Sequence, residues 1–165
     1  MILEILGTND LTELQLQGQY GKVSIFNIYN DYTHSRNKII LKRYIQEHAN
    51  SITNNKNHHM IWAGDFNQHH PIWDDNQNTH LFTAQAARMA ENLIKLIVTY
   101  DLIMPLSKGI PMLKHMVTKR YSKLDNIFCI EGLKDLIVTC KVNPTIQPTS
   151  IDHFPIITKL LIPQE

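Results

Sequence analysis

Apolar residues recur at helical spacing in two stretches of the chain. Between residues 36 and 52 they follow one another at steps of three and four, which predicts an amphipathic helix that ends before Asn54. From Thr83 to about residue 100 the same spacing returns, and the hydroxyl of Thr83 can cap the first turn. The pattern therefore predicts two helices, each with one apolar face.

Shorter apolar runs, separated by Gly, Pro, Lys and Asn, have the composition of β-strands. Residues 22–29 are nearly all apolar or β-favouring, as expected for a strand that is buried on both faces, and residues 59–63 form a similar run that Gly64 ends. Residues 1–17 predict a hairpin or the end of something longer. Further candidate strands span residues 102–106, 113–117, 124–130, 136–140 and 154–162. Two helices among roughly seven strands predict a layered α/β fold.

Length and composition predict one domain over residues 1–165. With 43% hydrophobic residues and a net charge of +1, the chain is neither disordered nor a polybasic arm, so any nucleic-acid partner must be engaged locally. The sequence contains no apolar run near the ~18 residues of a membrane span and no export signal. The two cysteines, Cys129 and Cys140, are too few for a disulfide framework. We therefore expect an intracellular protein, nuclear or cytoplasmic.

A first group of chemically capable residues follows the predicted strand that ends at Gly64. Asp65 and Asn67 lie two apart on an extended segment, so they project to the same side and could hold a water and a phosphate oxygen. The alternative is that they only close an Asx turn, which is the commoner role of an isolated Asp-x-Asn. The polar segment that continues to His80 is long for a loop in a compact domain, which is typical of a functional segment.

Two further groups lie near the end of the chain. Asp125 interrupts an apolar strand, so it needs a His, Arg or metal partner unless it is the exposed first residue of that strand. Asp152 and His153 precede the last apolar run, where a metal ligand beside an imidazole would suit phosphate chemistry, although Asp-His is also an ordinary turn dipeptide. Asp125 is the natural candidate to orient the His153 ring.

Taken together, these three groups resemble the endonuclease/exonuclease/phosphatase superfamily. The string WAGDFNQHHPIWD at residues 62–74 is similar to the endonuclease domains of non-LTR retrotransposons, especially those of fungi. The resemblance continues through LDNIF at residues 124–128, DHFPI at 152–156 and NIYN at 27–30. It covers residues 22–161, which leaves residues 1–21 as an atypical start.

The resemblance implies a fold and a reaction. The fold would be a four-layer α/β sandwich with two facing mixed sheets, as in deoxyribonucleases, with the active site where strand ends converge at one edge. The reaction would be phosphodiester hydrolysis with Mg²⁺ or Mn²⁺, and the partner would be DNA. A metal and several fixed donors are needed because a diester anion repels hydroxide.

The resemblance also implies a role for each matching residue. Asp65 would orient or deprotonate the attacking water, while Asn67 and Tyr29 would hydrogen-bond the scissile phosphate. Asp152 would ligate the metal. The last two roles fall to a carboxylate–imidazole pair, in which His153 would bind the phosphate oxyanion and Asp125 would hold its ring.

One part of the family pattern is absent from this sequence. Members normally supply a metal-ligating glutamate within a Gln-Glu-Pro, whereas Glu4 and Glu13 are the only glutamates before Tyr29 and neither has that context. We therefore expect the first strand–helix unit to be missing and Mg²⁺ to bind Asp152 weakly. Two other functions stay open, namely a non-catalytic remnant that is inert or acts as a binding module, and a phosphatase on a small phosphate ester.

Two other sets of residues have competing interpretations. The histidine pairs at residues 58–59 and 69–70 lack cysteine partners and lie about one strand apart, so we assign no zinc site. Four cations crowd the segment before the Asp125 strand, where they could follow a nucleic-acid backbone or belong to a solvated hairpin. These are Lys114, Lys119, Arg120 and Lys123.

Overall fold

The structure, a computed structural model, describes residues 1–5, 7–19, 21–31, 36–115, 117–149 and 151–161. Within these residues the strands are β1 (Ile2–Glu4), β2 (Leu11–Gly18), β3 (Gly21–Tyr29), β4 (His58–Asp65), β5 (Leu102–Ile103), β6 (Leu113–Lys114), β7 (Tyr121–Ser122), β8 (Asp125–Ile130), β9 (Ile137–Val142) and β10 (Ile156–Leu160). The α-helices are α1 (Arg36–Glu47), α2 (Ala49–Ile52) and α3 (Ala84–Thr99). Three 3₁₀ helices span Asn76–Leu81, Glu131–Leu136 and Pro144–Ile146.

A six-stranded sheet in the order β1-β2-β3-β4-β8-β5 forms the centre of the protein. Strands β3 and β4 are parallel and are joined through α1 and α2, while the other pairs in this sheet are antiparallel. Two smaller antiparallel pairs, β6 with β7 and β9 with β10, complete the strands. The mixed α/β architecture with more than one sheet confirms the predicted fold class.

The helices largely follow the apolar spacing of the sequence. The Thr83 hydroxyl accepts a hydrogen bond from the backbone N–H of Ala86 at 3.1 Å, which confirms the predicted cap of α3. The first predicted helix is divided in two, because His48 adopts φ −107° and ψ 18° between α1 and α2. Periodicity alone did not reveal this break, since apolar side chains continue at the same spacing across it.

Several strands are shorter than the apolar runs that predicted them. Proline has no N–H to donate to a strand ladder, so the run at 102–106 pairs only before Pro105 and β10 begins directly after Pro155. The predicted end of the last strand, Ile162, lies outside the described residues. The predicted loop at 65–80 includes the start of the 3₁₀ helix Asn76–Leu81, which the Asp75 side chain caps by accepting from the Gln77 N–H at 2.8 Å.

Apolar side chains cover both faces of the central sheet. In β3, Phe26 and Ile28 face a cluster to which all three α-helices contribute. Val23 and Ile25 belong to a second cluster that β9 and β10 also line. The strand is therefore covered on both faces, as its continuous apolar sequence predicted.

A buried polar network lies among these apolar side chains, on the helix-facing side of the sheet. The carboxylate of Glu13 is fully buried and accepts hydrogen bonds from the hydroxyls of Tyr44, at 2.6 Å, and Ser24. Gln15 donates its side-chain amide to the same carboxylate at 3.0 Å. The Ser24 hydroxyl also lies 2.6 Å from Nε2 of His58, which is itself buried. Nothing in the sequence indicated that Glu13 is a core residue.

No helix among the described residues is long and apolar enough to cross a bilayer.

Candidate active site

The ends of three neighbouring strands bring three of the predicted site residues into one row. Tyr29 of β3 is opposite Asp65 of β4, and Asp65 is opposite Asp125 of β8. Residues at the same register on neighbouring strands project to the same face and lie close together. The sheet therefore assembles a phenol and two carboxylates from parts of the chain that are far apart in sequence.

Gly64 allows β3 and β4 to approach closely just before this row. Its φ is +142°, and a Cβ at this position would lie 2.0 Å from the carbonyl oxygen of Ile28. Any side chain would force the strands apart one residue before Tyr29 and Asp65. Glycine is therefore required here by both the backbone conformation and the contact.

Asp65 is fixed by the turn that follows it. The backbone N–H of Asn67 donates to Oδ1 of Asp65 at 2.9 Å, and the Asn67 side-chain amide donates to Oδ2 at 3.1 Å. Asn67 itself adopts a positive φ of 49°, a conformation that asparagine tolerates better than most residues. The Asx turn considered as an alternative is thus present, and it also orients the carboxylate in the row.

Asn30 is a residue of this site that the sequence analysis did not single out. It is buried, and its side-chain amide donates to the carbonyl of Phe66 at 2.9 Å. Its backbone N–H donates to the carbonyl of Asp65 at 2.8 Å, and its own carbonyl accepts from the Asn67 side chain at 3.0 Å. Asn30 therefore holds the turn after β4 against the end of β3. A polar amide directly after a buried strand was the only sequence signal.

The segment before β10 brings His153 to the same place. It is tied to β6, since the N–H of Lys114 donates to the Asp152 carbonyl at 3.1 Å and Leu113 forms a β-bridge with His153. Nδ1 of His153 then lies 2.6 Å from Oδ2 of Asp125. Oδ1 of Asp152 lies 3.8 Å from the other ring nitrogen, Nε2. Both carboxylates that the sequence analysis associated with His153 are therefore next to it.

Asp65, Asp125 and His153 converge to within bonding distance of a common ligand. One ligand atom from each side chain lies within 4.8 Å of the others. All three side chains are partly buried, so the cluster has limited but real access to solvent. This separation is compatible with a single phosphate group and a bound water or cation between them.

Burial and mutual contacts shift the pKa values of all three side chains in the cluster. Burial raises the pKa of Asp125 to about 6, against the opposing effect of its hydrogen bond to His153. Burial also raises the pKa of Asp65. For His153, burial alone would lower the pKa, but the hydrogen bond and charge of Asp125 outweigh it and the pKa is raised. The hydrogen bond to Asp125 therefore favours the protonated form of the His153 ring.

The donor set fits a hard divalent cation, although with few ligands. Carboxylate oxygens are the ligands that Mg²⁺ and Mn²⁺ prefer, and Asp65 and Asp125 each offer one to the cluster. Nδ1 of His153 is occupied by Asp125, so only Nε2 is free for a ligand. In the part of the chain that the structure describes, no glutamate joins the group.

The paired histidines have separate environments. His58 belongs to the buried network with Glu13 and Ser24. In the other pair, Nδ1 of His69 lies 3.0 Å from the buried carboxylate of Asp74.

The basic segment before β8 divides into surface and core residues. Lys123 is buried and donates to the carbonyl of Ser107 at 2.8 Å, so it is not part of a surface track. Nζ of Lys114 lies 5.5 Å from the centre of the Tyr121 ring, and Arg120 is exposed.

A cavity of about 690 Å³ opens beside this segment. It lies between the 3₁₀ helix at 76–81 and β7, and Arg120, Tyr121 and His80 are among its lining residues. The Tyr121 ring is 6.3 Å from that of Phe154, the residue that follows His153. The cavity is therefore linked to the segment that carries His153 through the contact between these two rings.

Several solved structures that share this fold are nucleases, and one is described as a 3' phosphatase. The chain is similar to the endonuclease domain of TRAS1, a telomere-specific non-LTR retrotransposon, with a TM-score of 0.71 and 17% identity over 97% of this chain and 68% of that chain. It is also similar to an AP endonuclease from Archaeoglobus fulgidus, with a TM-score of 0.67 and 15% identity over 96% of this chain and 70% of that one. A 3'-5' exonuclease (NExo) from Neisseria meningitidis gives a TM-score of 0.65 and 13% identity, covering 96% and 68% of the two chains. At these identities the likeness establishes the fold.

No curated protein matches the chain. The model of the endonuclease-reverse transcriptase family, however, matches residues 23–157, which is most of the chain and includes every residue of the candidate site. The chain therefore belongs to the endonuclease-reverse transcriptase family, within the endonuclease/exonuclease/phosphatase superfamily, and resembles the endonucleases of retrotransposons.

Proposed function

We propose that this protein is a divalent-metal-dependent endonuclease that nicks DNA by hydrolysing a phosphodiester bond. The observation that carries the proposal is the convergence of Asp65, Asp125 and His153, whose ligand atoms lie within 4.8 Å of one another. Family membership supports phosphodiester hydrolysis as the reaction class. The retrotransposon endonuclease domain and the AP endonuclease with the same fold, and the 3' phosphatase NExo solved with a product DNA hairpin, support DNA as the substrate.

Asp65 is the candidate general base. Its raised pKa makes the carboxylate more basic than an exposed aspartate, so it can take a proton from a water more readily. The hydrogen bond from the backbone N–H of Asn67 to Oδ1 keeps the carboxylate oriented, and it does not depend on the Asn67 side chain. A fixed orientation matters because a base must point at the proton that it removes.

His153 is the candidate contact to the phosphate. Asp125 accepts from one side of the ring, which fixes its orientation and favours the cationic form that can donate to a phosphate oxygen from Nε2. Tyr29 has a half-exposed side chain in the same row and can donate its phenol to the same phosphate. The Asn67 amide would exchange its present acceptors for the phosphate when substrate binds.

A divalent cation would be held by Asp152, whose carboxylate lies beside Nε2 of His153, together with an oxygen of Asp125, which leaves Asp65 to act as the base. When bound, it would supply positive charge against the charge that develops on the phosphate. The small number of ligands supports weak binding, so activity should need high metal concentrations.

The surroundings of the site support a polyanionic substrate. Nζ of Lys114 lies over the Tyr121 ring, and Arg120 lines the same cavity as Tyr121, whose ring is 6.3 Å from that of Phe154, the neighbour of His153. Cations contact phosphates in any sequence, and exposed aromatic rings provide surfaces on which bases stack. A net charge of only +1 means that this local arrangement has to supply the attraction.

A plasmid-nicking assay tests the proposal. Supercoiled plasmid would be incubated with the protein and Mg²⁺ or Mn²⁺, beside the variants Asp65→Asn and His153→Ala. Loss of a positioned proton-transfer group lowers rates by roughly 10²–10⁴-fold, so both variants should be inactive within detection. Asp135→Asn is the matched control, since it makes the same chemical change at an exposed carboxylate outside the cluster. Nicking that survives in Asp65→Asn would refute the assignment.

One observation favours the binding-module alternative. No glutamate belongs to the ligand cluster within the described residues, and a site with fewer carboxylates binds Mg²⁺ less well. If the parent protein fails to nick DNA but still binds a labelled duplex, and Arg120→Ala weakens that binding, a non-catalytic role replaces the nuclease. Release of phosphate from p-nitrophenyl phosphate, without nicking, would instead support the phosphatase.

A further inference from the structure

A groove between α1 and α3 lies outside the candidate active site and has no assigned role. Its volume is about 250 Å³. The lining side chains on which the argument depends are Lys38, Ile39, Lys42, Lys95, Leu96 and Thr99. Three lysine side chains and two aliphatic side chains therefore line the same space.

The positive charge in this groove is poorly compensated. Lys38 is buried, and its ammonium donates to the backbone carbonyl of Met89 at 3.1 Å, an acceptor without a full charge. Among the residues that the structure describes, neither Lys38 nor Lys42 pairs with a carboxylate. A buried ammonium without a counter-ion is costly, so an anion beside it would be strongly favoured.

The charge extends over the whole helical layer. Together α1 and α3 carry six basic and two acidic side chains, an excess of four, whereas the whole chain has a net charge of +1. The two acidic residues already pair along their own helices, Glu47 with Arg43 at 3.8 Å and Glu91 with Lys95 at 2.6 Å. The positive surface is therefore a local feature that the net charge conceals.

The groove also offers apolar surface to a ligand. Ile39 is 63% exposed, a large fraction for an isoleucine on a helix that packs against the core, and Leu96 forms the buried floor. A volume of about 250 Å³ has room for one large aliphatic or aromatic side chain. None of the described lining residues is aromatic, so among them there is no ring on which a nucleobase could stack.

We propose that the groove between α1 and α3 docks an acidic segment of a partner protein. One leucine- or phenylalanine-sized side chain fills the space above Leu96 beside Ile39, and flanking carboxylates pair with the ammonium groups of Lys38 and Lys42. This is the helix-in-groove mode of recognition, with apolar anchoring and charge complementarity combined. The proposal does not depend on nuclease activity.

Fluorescence anisotropy with a labelled synthetic peptide tests this inference. The probe is a fifteen-residue peptide of glutamates with leucines at helical spacing, added to the full chain at an ionic strength of about 0.15 M, where exposed charges more than about 8 Å apart are largely screened. We expect Lys42→Glu to weaken binding at least ~10-fold, since it reverses a charge at the contact, and Ile39→Ser to weaken it several-fold. Arg43→Glu is the matched control, because it makes the same charge change at a neighbouring exposed position and should alter the affinity less than ~2-fold.

Two comparisons separate this interaction from non-specific attraction. A peptide in which serine replaces each leucine should bind at least ~10-fold more weakly, because the anchor is lost. Circular dichroism should be identical for the three variants, whose substituted side chains are exposed. Equal weakening by Lys42→Glu and Arg43→Glu, or no binding of the leucine peptide, would overturn the proposal. If a duplex oligonucleotide displaces the peptide and Lys42→Glu weakens binding of that duplex, the groove binds nucleic acid instead, and this result would equally overturn the proposal.

Discussion

The buried carboxylate of Glu13 gives the sharpest test of how the core is held together. Its two oxygens accept from Tyr44, Ser24 and Gln15, and no part of the residue is exposed to water. Burial and the Glu13 hydrogen bond also raise the pKa of Tyr44, so its hydroxyl remains a donor at any physiological pH. The substitution Glu13→Gln keeps the shape of the side chain but replaces one acceptor oxygen with an amide donor.

The magnitude follows from the number of donors that lose an acceptor. After Glu13→Gln, the new amide group lies either beside the Tyr44 hydroxyl or beside Ser24 and Gln15, which share the other oxygen. In either orientation a donor faces an N–H group, and no water can replace the lost acceptor. A hydrogen bond to a charged acceptor contributes about 1.5–3 kcal/mol. We therefore expect the free energy of unfolding to fall by ~2 kcal/mol, a substantial share of the 5–15 kcal/mol typical of a domain.

Urea unfolding followed by tryptophan fluorescence measures this loss, because Trp62 and Trp73 are both buried and report on the core. Glu4→Gln is the matched control, since Glu4 is exposed on β1 and the same change there should alter stability by less than ~0.5 kcal/mol. A Glu13→Gln effect no larger than that of the control would show that the network contributes nothing, and would refute the reasoning.

Three further predictions concern the site and its supports. Gly64→Ala should lower the free energy of unfolding by ~3 kcal/mol or more, because the added Cβ would lie 2.0 Å from the carbonyl oxygen of Ile28. Thermal unfolding measures this loss. Burial lowers the pKa of Lys123 to about 8, so the folded protein loses stability as pH falls from ~10.5 to 8. Lys123→Met should remove this pH dependence and raise the free energy of unfolding by ~1–2 kcal/mol at pH 7. Asp125→Asn should lower the pKa of His153, measured by NMR titration of the ring protons, because the main source of the rise is removed.

Each of these predictions has an outcome that contradicts it. Gly132→Ala is the control for Gly64, since a Cβ there meets nothing within 4 Å, and equal effects would show that the close approach is unimportant. For Lys123, a stability difference between parent and variant that is independent of pH from 7 to 10 would show that burial does not lower its pKa. An unchanged titration of His153 after Asp125→Asn would mean that the 2.6 Å contact does not form in solution.

The sequence predicted local features of this fold better than long-range ones. Helix α3 and its Thr83 cap, and strand β3 with both faces covered, follow from periodicity and capping within one short segment. The burial of Glu13 depends instead on α1 and on the neighbouring strand, so no local pattern around residue 13 contains it. Lys123 was taken for a surface cation for the same reason, since its acceptor Ser107 lies in a different loop.

The candidate site shows the same division. The motifs identified Asp65, Asp125 and His153 separately, each with an ordinary structural alternative. Their meeting depends on strand pairing and on the bridge between β6 and the segment before β10, which only the folded chain provides. The role of Asn30 was missed because its hydrogen bonds reach a turn more than thirty residues away.

The parallel pairing of β3 with β4 keeps Tyr29 and Asp65 side by side, although the intervening chain travels the full length of the sheet through α1 and α2 before it returns. Changes on the exposed face of that excursion leave both ends in place, because the ladder fixes them independently of the path between them. The helical side of the molecule is thus free to acquire new contacts while the opposite rim keeps its chemistry.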